Sequence, residues 1–177
     1  MNELRALGYL DRLDELLAPA HTRLVLIVTG SRVAPWELWS PAVYGVFERI
    51  ANLCDHPDGR RGDFRCGCIR VVHGNAKGID KEADAIAYRR DWPIRRFPVV
   101  PSVWMKRGGY AGHERNHAMV DEAKATAEKL RARLLCTAFI HNGSPGATGC
   151  AGYAQLSGIP TLRVTTEDLW MPRVTAA

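Results

Sequence analysis

The sequence reads as an α/β protein built on a parallel sheet. Three observations carry that reading. Leu24-Val25-Leu26-Ile27-Val28 is apolar without alternation, as a central parallel strand buried on both faces requires. Two further apolar runs, Ile69 to Val72 and Cys136 to Ile140, stop like the first at a glycine-containing turn. Each turn leads towards a segment of helical periodicity, the pattern of a strand-turn-helix unit.

The elements follow in order. Leu4, Leu7, Leu10, Leu13 and Leu17 recur at helical spacing, and Pro19 ends the segment. This predicts an accessory helix within residues 1–20, ahead of one sheet domain over residues 21–177. After the first strand a helix is expected from about Leu38, with Trp39, Val43, Phe47, Ile50 and Cys54 on one stripe. Residues 55–67 are polar and glycine-rich and read as a long loop. The next helix starts near Ile79 and turns Ile79, Ala83, Ile86 and Ala87 inward. Asp80 falls in its first turn, where a carboxylate complements the helix dipole.

Ile94 to Val99 reads as a third strand, and Ser102 to His113 as a loop rich in glycine and aromatics. A fourth helix is expected from about Asn116 to Arg131 on Met119, Ala123, Ala127 and Leu130. Leu134 to Ile140 is the fourth strand. The helix after it, from about Ala147 to Ser157, faces inward with the small residues Ala151, Ala154 and Gly158. Thr161 to Val164 is a fifth strand, and its polar Arg163 points to a sheet edge.

The bulk numbers narrow the class. A chain of 177 residues suits one domain with its own core. No apolar run approaches the roughly 20 residues that span a bilayer. Met1 to Leu17 mixes acids and bases, unlike a signal peptide, so a cytoplasmic location is expected. The net charge of +5 fits an anionic ligand. It also fits weak attraction to nucleic acid, but basic residues come at most in pairs, such as Arg60-Arg61, Arg89-Arg90 and Arg95-Arg96, so an ordinary basic surface is the simpler reading of that charge. Five cysteines do not make a disulfide framework in such a chain. Cys54, His56, Cys66 and Cys68 form a loosely spaced candidate zinc set, against which Cys54 on a helix face and Cys68 at a strand start are the simpler roles.

The turns hold the chemistry. Ligands of open parallel sheets bind outside the carboxyl ends of the strands. Backbone N–H groups at helix N-termini attract anions there. The first turn supplies Gly30, Ser31 and Arg32. The second supplies Gly74, Asn75, Ala76, Lys77, Gly78 and Asp80. The third supplies Gly143, Ser144, Gly146, Ala147, Thr148 and Gly149. Arg32 and Arg115 are the candidate anion forks. Trp104 is a candidate base platform, with covering the core edge as its alternative role. Asn116 is either a ligand contact or a helix N-cap. The acid-base candidates are Asp80, Glu114, His73 and His113. There is no nucleophile elbow, no Walker-type Lys-Ser/Thr pair and no paired-histidine metal motif. No cofactor is expected.

Four motifs together resemble the SLOG superfamily, in particular its YspA-related branch. They are Val28-Thr29-Gly30-Ser31-Arg32, His73 through Asp80, Gly112 through Met119, and Gly143 through Thr148. The resemblance covers residues 23–165 and implies a Rossmann-like, three-layer fold with strand order 3-2-1-4-5. It also implies a nucleotide-derived ligand between the ends of the first and fourth strands. A homodimer is implied too, for which Trp36, Trp39 and the N-terminal helix are candidate contacts, with core packing the equal alternative for the two tryptophans. His113-Glu114-Arg115 with Met119 is similar to a stretch of the LONELY GUY phosphoribohydrolases and matches Arg115 to their catalytic arginine. Their motif glutamate falls at Ala151, so N-glycosidic cleavage here needs another carboxylate, Glu114 or Asp80. Gly30-Ser31-Arg32, Gly78-Ile79-Asp80 and Arg115-Asn116 also look like motifs of DNA-processing protein A. This chain lacks the long basic or aromatic tract of a strand-tracking protein.

Overall fold

A computed structural model describes residues 8–18, 23–53 and 68–170. Their elements run α1 (Gly8–Leu17), β1 (Leu24–Gly30), α2 (Trp36–Leu53), β2 (Ile69–His73), α3 (Ile79–Arg89) and β3 (Ile94–Arg96). They continue with α4 (Pro101–Arg107), α5 (Gly109–Leu130), β4 (Arg133–Ile140), α6 (Pro145–Leu156), β5 (Thr161–Thr165) and α7 (Thr166–Trp170). The five strands are all parallel, in the order β3-β2-β1-β4-β5. This is a Rossmann-like α/β fold with helices on both faces of the sheet.

Strand alternation divides the core into two layers. Leu24, Leu26 and Val28 face α1, α2 and α3, whose buried residues include Leu13, Trp39, Phe47 and Ile86. Val25 and Ile27 face α5 and α6 through Met119, Val120, Ala123, Cys150 and Ala154. β1 is buried along its length because it lies between β2 and β4 and is covered twice. Register places Val28 opposite both His73 and Thr137, so β1, β2 and β4 end side by side.

The N-terminal helix is part of this packing. Tyr9, Leu13 and Leu17 are buried in the first layer. Arg49 Nε donates to Asp14 Oδ1 at 2.6 Å, joining α1 to α2. Arg133 donates to the Leu16 carbonyl at 2.7 Å, satisfying an acceptor at the end of α1. Trp39 is wholly buried and packs edge-on to Phe139, so it is a core residue and not a dimer contact. Trp36 is partly buried and meets Tyr44 edge-on. No helix among the described residues is long and apolar enough to cross a membrane. Leu4, Leu7, Cys54 and the expected loop over residues 55–67 lie outside the described residues.

Three expectations are corrected. The third strand stops at Arg96, three residues short of Val99. The segment expected as a loop from Ser102 to His113 is helical: Pro101 opens α4 at its first turn, where its missing N–H costs nothing. Gly108, with φ of 52°, then separates α4 from α5, so α5 starts seven residues before the expected Asn116. Gly158 is exposed and lies beyond α6, where its φ of 76° suits the exit turn.

Because Leu13 is fully buried, Leu13→Ala is expected to lower unfolding free energy by about 2–4 kcal/mol. Urea denaturation measures this. A loss within error of zero would mean that α1 is not part of the cooperative core.

Candidate functional site

The chain moves outward from β1 to β3 and then returns to lay β4 on the other side of β1. That reversal opens a crevice at the carboxyl ends of β1 and β4. A cleft of about 370 Å³ occupies it. Its walls come from the end of β1 (Thr29, Gly30, Arg32, Val33), the β2–α3 segment (Ala76, Asp80), α4 (Trp104), the start of α5, and the start of α6.

Arg115 dominates the α5 wall. Its side chain is only 13% exposed. The guanidinium lies on the bare backbone of Gly74, where a Cβ would stand 1.3 Å from Nη1. No residue but glycine fits beneath it. Nη1 donates to the Phe97 carbonyl at 3.3 Å and stands 3.9 Å from Asp80 Oδ2. Among the described residues Nε is buried without a hydrogen-bond partner. Burial pulls the Arg115 pKa below its usual value, and the Asp80 charge opposes that pull.

Asp80 is 3% exposed, on the first turn of α3. The Ala76 N–H donates to its Oδ2 at 3.1 Å. Burial pushes its pKa up to about 6, outweighing the backbone amides of the turn and the Arg115 and Arg32 charges. Gly30 allows this closeness, because a Cβ there would collide with Ile79 at the head of α3.

The second turn is therefore not the anion cradle that its glycines suggested. Two of its amides are turned inward. The Ala76 N–H serves Asp80, and the Asn75 N–H donates to His73 Nδ1 at 3.1 Å. That bond makes Nδ1 the acceptor, so Nε2 carries the proton and donates to Asp84 at 2.8 Å. Asp84 also accepts from Arg96 Nε at 2.5 Å. His73 is wholly buried, and burial lowers its pKa. Its role is to brace the turn.

The third turn does present amides. Ser144 caps α6 without a side-chain bond, and Pro145 occupies the first turn. Gly146 and Ala147 follow, with N–H groups that have no acceptor within the helix. All four residues line the cleft. Asn116 lies inside α5 and is not an N-cap. Its Nδ2 donates to the Gly146 carbonyl at 3.2 Å, tying α5 to the mouth of α6. Across the cleft, the Arg32 guanidinium lies 4.3 Å above the Trp104 ring.

Several expected site residues fall outside the cleft lining. The Ser31 hydroxyl accepts from the His141 N–H at 2.8 Å and so staples β1 to β4. Lys77 is exposed, and the Asn75 side chain accepts from Lys81 at 2.6 Å. Gly78 caps α3, and Gly143 shapes the turn with φ of 64°. Thr148 continues α6, and Gly149 packs against the His113 ring. Glu114 is paired with Arg107 at 2.7 Å, so Asp80 is the carboxylate that faces the cleft. His113 does line it. Sequence reasoning missed Thr29, Val33, Gly109, Gly112 and Pro145. The clustered glycines of residues 108–112 were the available signal for two of them.

Cys54, His56 and Cys66 of the candidate zinc set lie outside the described residues, and Cys68 stands one residue before β2. Among the described residues no group of three metal-ligand side chains comes together. No protein-family model matches this chain, and no curated protein matches it in sequence.

The Asp80 shift fixes a sign. A folded pKa raised to about 6 from 3.8 favours folding below pH 3.8 and loses that contribution as pH rises to 6. Asp80→Asn, which removes the charge, is therefore expected to stabilise the protein at pH 8 by about 1–3 kcal/mol. The gain should shrink towards pH 4. Urea midpoints of the two proteins across that range test it, and a pH-independent difference would refute it.

Proposed function

We propose that this protein is a nucleotide-binding domain of SLOG type that holds a nucleotide or nucleotide-derived anion in the cleft at the switch point. The observation that carries this reading is the buried Arg115 guanidinium, with its Nε unpartnered, in the same cleft as the open amides of α6. A phosphate there meets a guanidinium fork and a helix N-terminus. Arg32, whose guanidinium lies over the Trp104 ring, adds a second cation. The four sequence motifs support the same assignment. The acceptor role of Asp80 gives it a further feature, a site for a hydrogen-bond donor on the ligand.

A second reading, hydrolysis of a nucleotide N-glycosidic bond, is favoured by one observation. Asp80 faces the cleft with its pKa raised to about 6, within the range useful to a general acid or base. Ala151, where the related hydrolases carry a glutamate, is fully buried. Binding of single-stranded DNA is the third reading. It predicts affinity that falls steeply with salt and grows with oligonucleotide length.

A thermal-shift panel of nucleoside mono-, di- and triphosphates, cyclic nucleotides, ADP-ribose derivatives and short DNA separates these readings. A ligand at 100 times its Kd should stabilise the fold by about 2.7 kcal/mol. Arg115→Ala is expected to abolish the shift, and Arg32→Ala to weaken binding about tenfold or more. Chromatography of the same mixtures detects released base if the cleft hydrolyses its ligand. A shift unchanged in Arg115→Ala would remove Arg115 from the site.

A further inference from the structure

Asp80 is an odd group to find in a cleft built for an anion. It is buried, negatively charged above about pH 6, and part of the wall that Arg115 and the α6 amides share. Capping the β2–α3 turn does not require the charge, since an Asn or Ser oxygen accepts backbone N–H bonds as well. Its partners do not exhaust it either. A carboxylate offers about four lone-pair positions, and the Ala76 amide accounts for one. Arg115, at 3.9 Å, is a charge neighbour beyond hydrogen-bond distance. A buried carboxylate left in that condition is costly, and a bare phosphate beside it is repelled. Both problems disappear if the ligand brings O–H donors to Asp80 while its anionic group lies on Arg115.

We propose that Asp80 reads the sugar of the ligand: it accepts hydrogen bonds from the 2′- and 3′-hydroxyls of a ribose, so the cleft selects ribonucleotides over 2′-deoxyribonucleotides. A vicinal diol supplies two O–H donors, which the acceptor positions left on Asp80 accommodate. A 2′-deoxyribose supplies one donor fewer and leaves a further position unsatisfied in a desolvated wall. This inference rests on the nucleotide reading of the cleft and adds the class of sugar to it.

The test is calorimetric titration of the wild-type protein with ribonucleoside 5′-mono- and triphosphates of the four bases and with their 2′-deoxy counterparts. The best ribonucleotide is expected to bind at least about tenfold more tightly than its deoxy form. Asp80→Asn should bring the two within about threefold of each other, chiefly by weakening the ribonucleotide. Arg32→Ala should weaken both and keep their ratio. Equal affinity for the two sugars in the wild-type protein overturns the inference whether or not the Asp80 variant folds. If neither series binds while another compound of the wider panel stabilises the protein, the sugar reading falls and the nucleotide-derived site stands. If nothing in the panel binds, the nucleotide reading itself fails, and this inference with it.

Discussion

The contact on which the site depends is that between the Arg115 guanidinium and the Gly74 backbone. A guanidinium can lie flat on a strand-end turn only where no Cβ intervenes, and at Gly74 the missing carbon would stand inside Nη1. That seat lets a side chain from α5 cross to the end of β2 and reach the Phe97 carbonyl beyond β3. Arg115 thereby links the returning half of the chain to the outgoing half, across the line where the strand order reverses. Strand register adds to this, because β2 ends at His73 opposite Val28 while β1 and β4 run on together to Gly30 and Phe139.

The electrostatics of the cleft follow from that placement. Burial works against both members of the Arg115–Asp80 pair, lowering one pKa and raising the other. Each opposes the other's shift, yet 3.9 Å is too long for a hydrogen bond that would offset the desolvation of either. A fold selected for stability alone would have filled this space with apolar side chains, as it did around Trp39 and Phe139. Charge kept under such conditions is a mark of a functional site.

Most of the architecture was legible in the sequence because burial on both faces leaves a plain record. β1, β2 and β4 are apolar runs stopped by glycine, and α2, α3 and the later part of α5 carry helical stripes. What failed was local. Residues 102–113 looked like a loop because glycine and aromatic content were read as turn chemistry, whereas Pro101 and Gly108 act as a start and a break for two helices. Asn116 looked like a cap for the same reason, and its hydrogen bond to Gly146 spans thirty residues of sequence that no local pattern encodes. Arg32, Arg115, Gly146 and Ala147 were legible as cleft residues. The seat of Arg115 on Gly74 was not, since one-dimensional spacing says nothing about which side chain occupies the space that a glycine leaves.

The three glycine turns look equivalent in sequence but divide their work in the fold. In the first, the Ser31 backbone and hydroxyl are bound to the end of β4, and Arg32 is the charged group the turn adds to the cleft. In the second, His73 and Asp80 absorb the amides of Asn75 and Ala76, so the turn offers a carboxylate where it was expected to offer donors. The third keeps its donors, because Pro145 and the absence of a side-chain cap leave the first turn of α6 open. The cleft thus combines one helix N-terminus, two guanidinium groups and one carboxylate. That set is mixed in sign, so a group that is only anionic complements part of it, and a ligand carrying both an anionic group and hydrogen-bond donors complements it better.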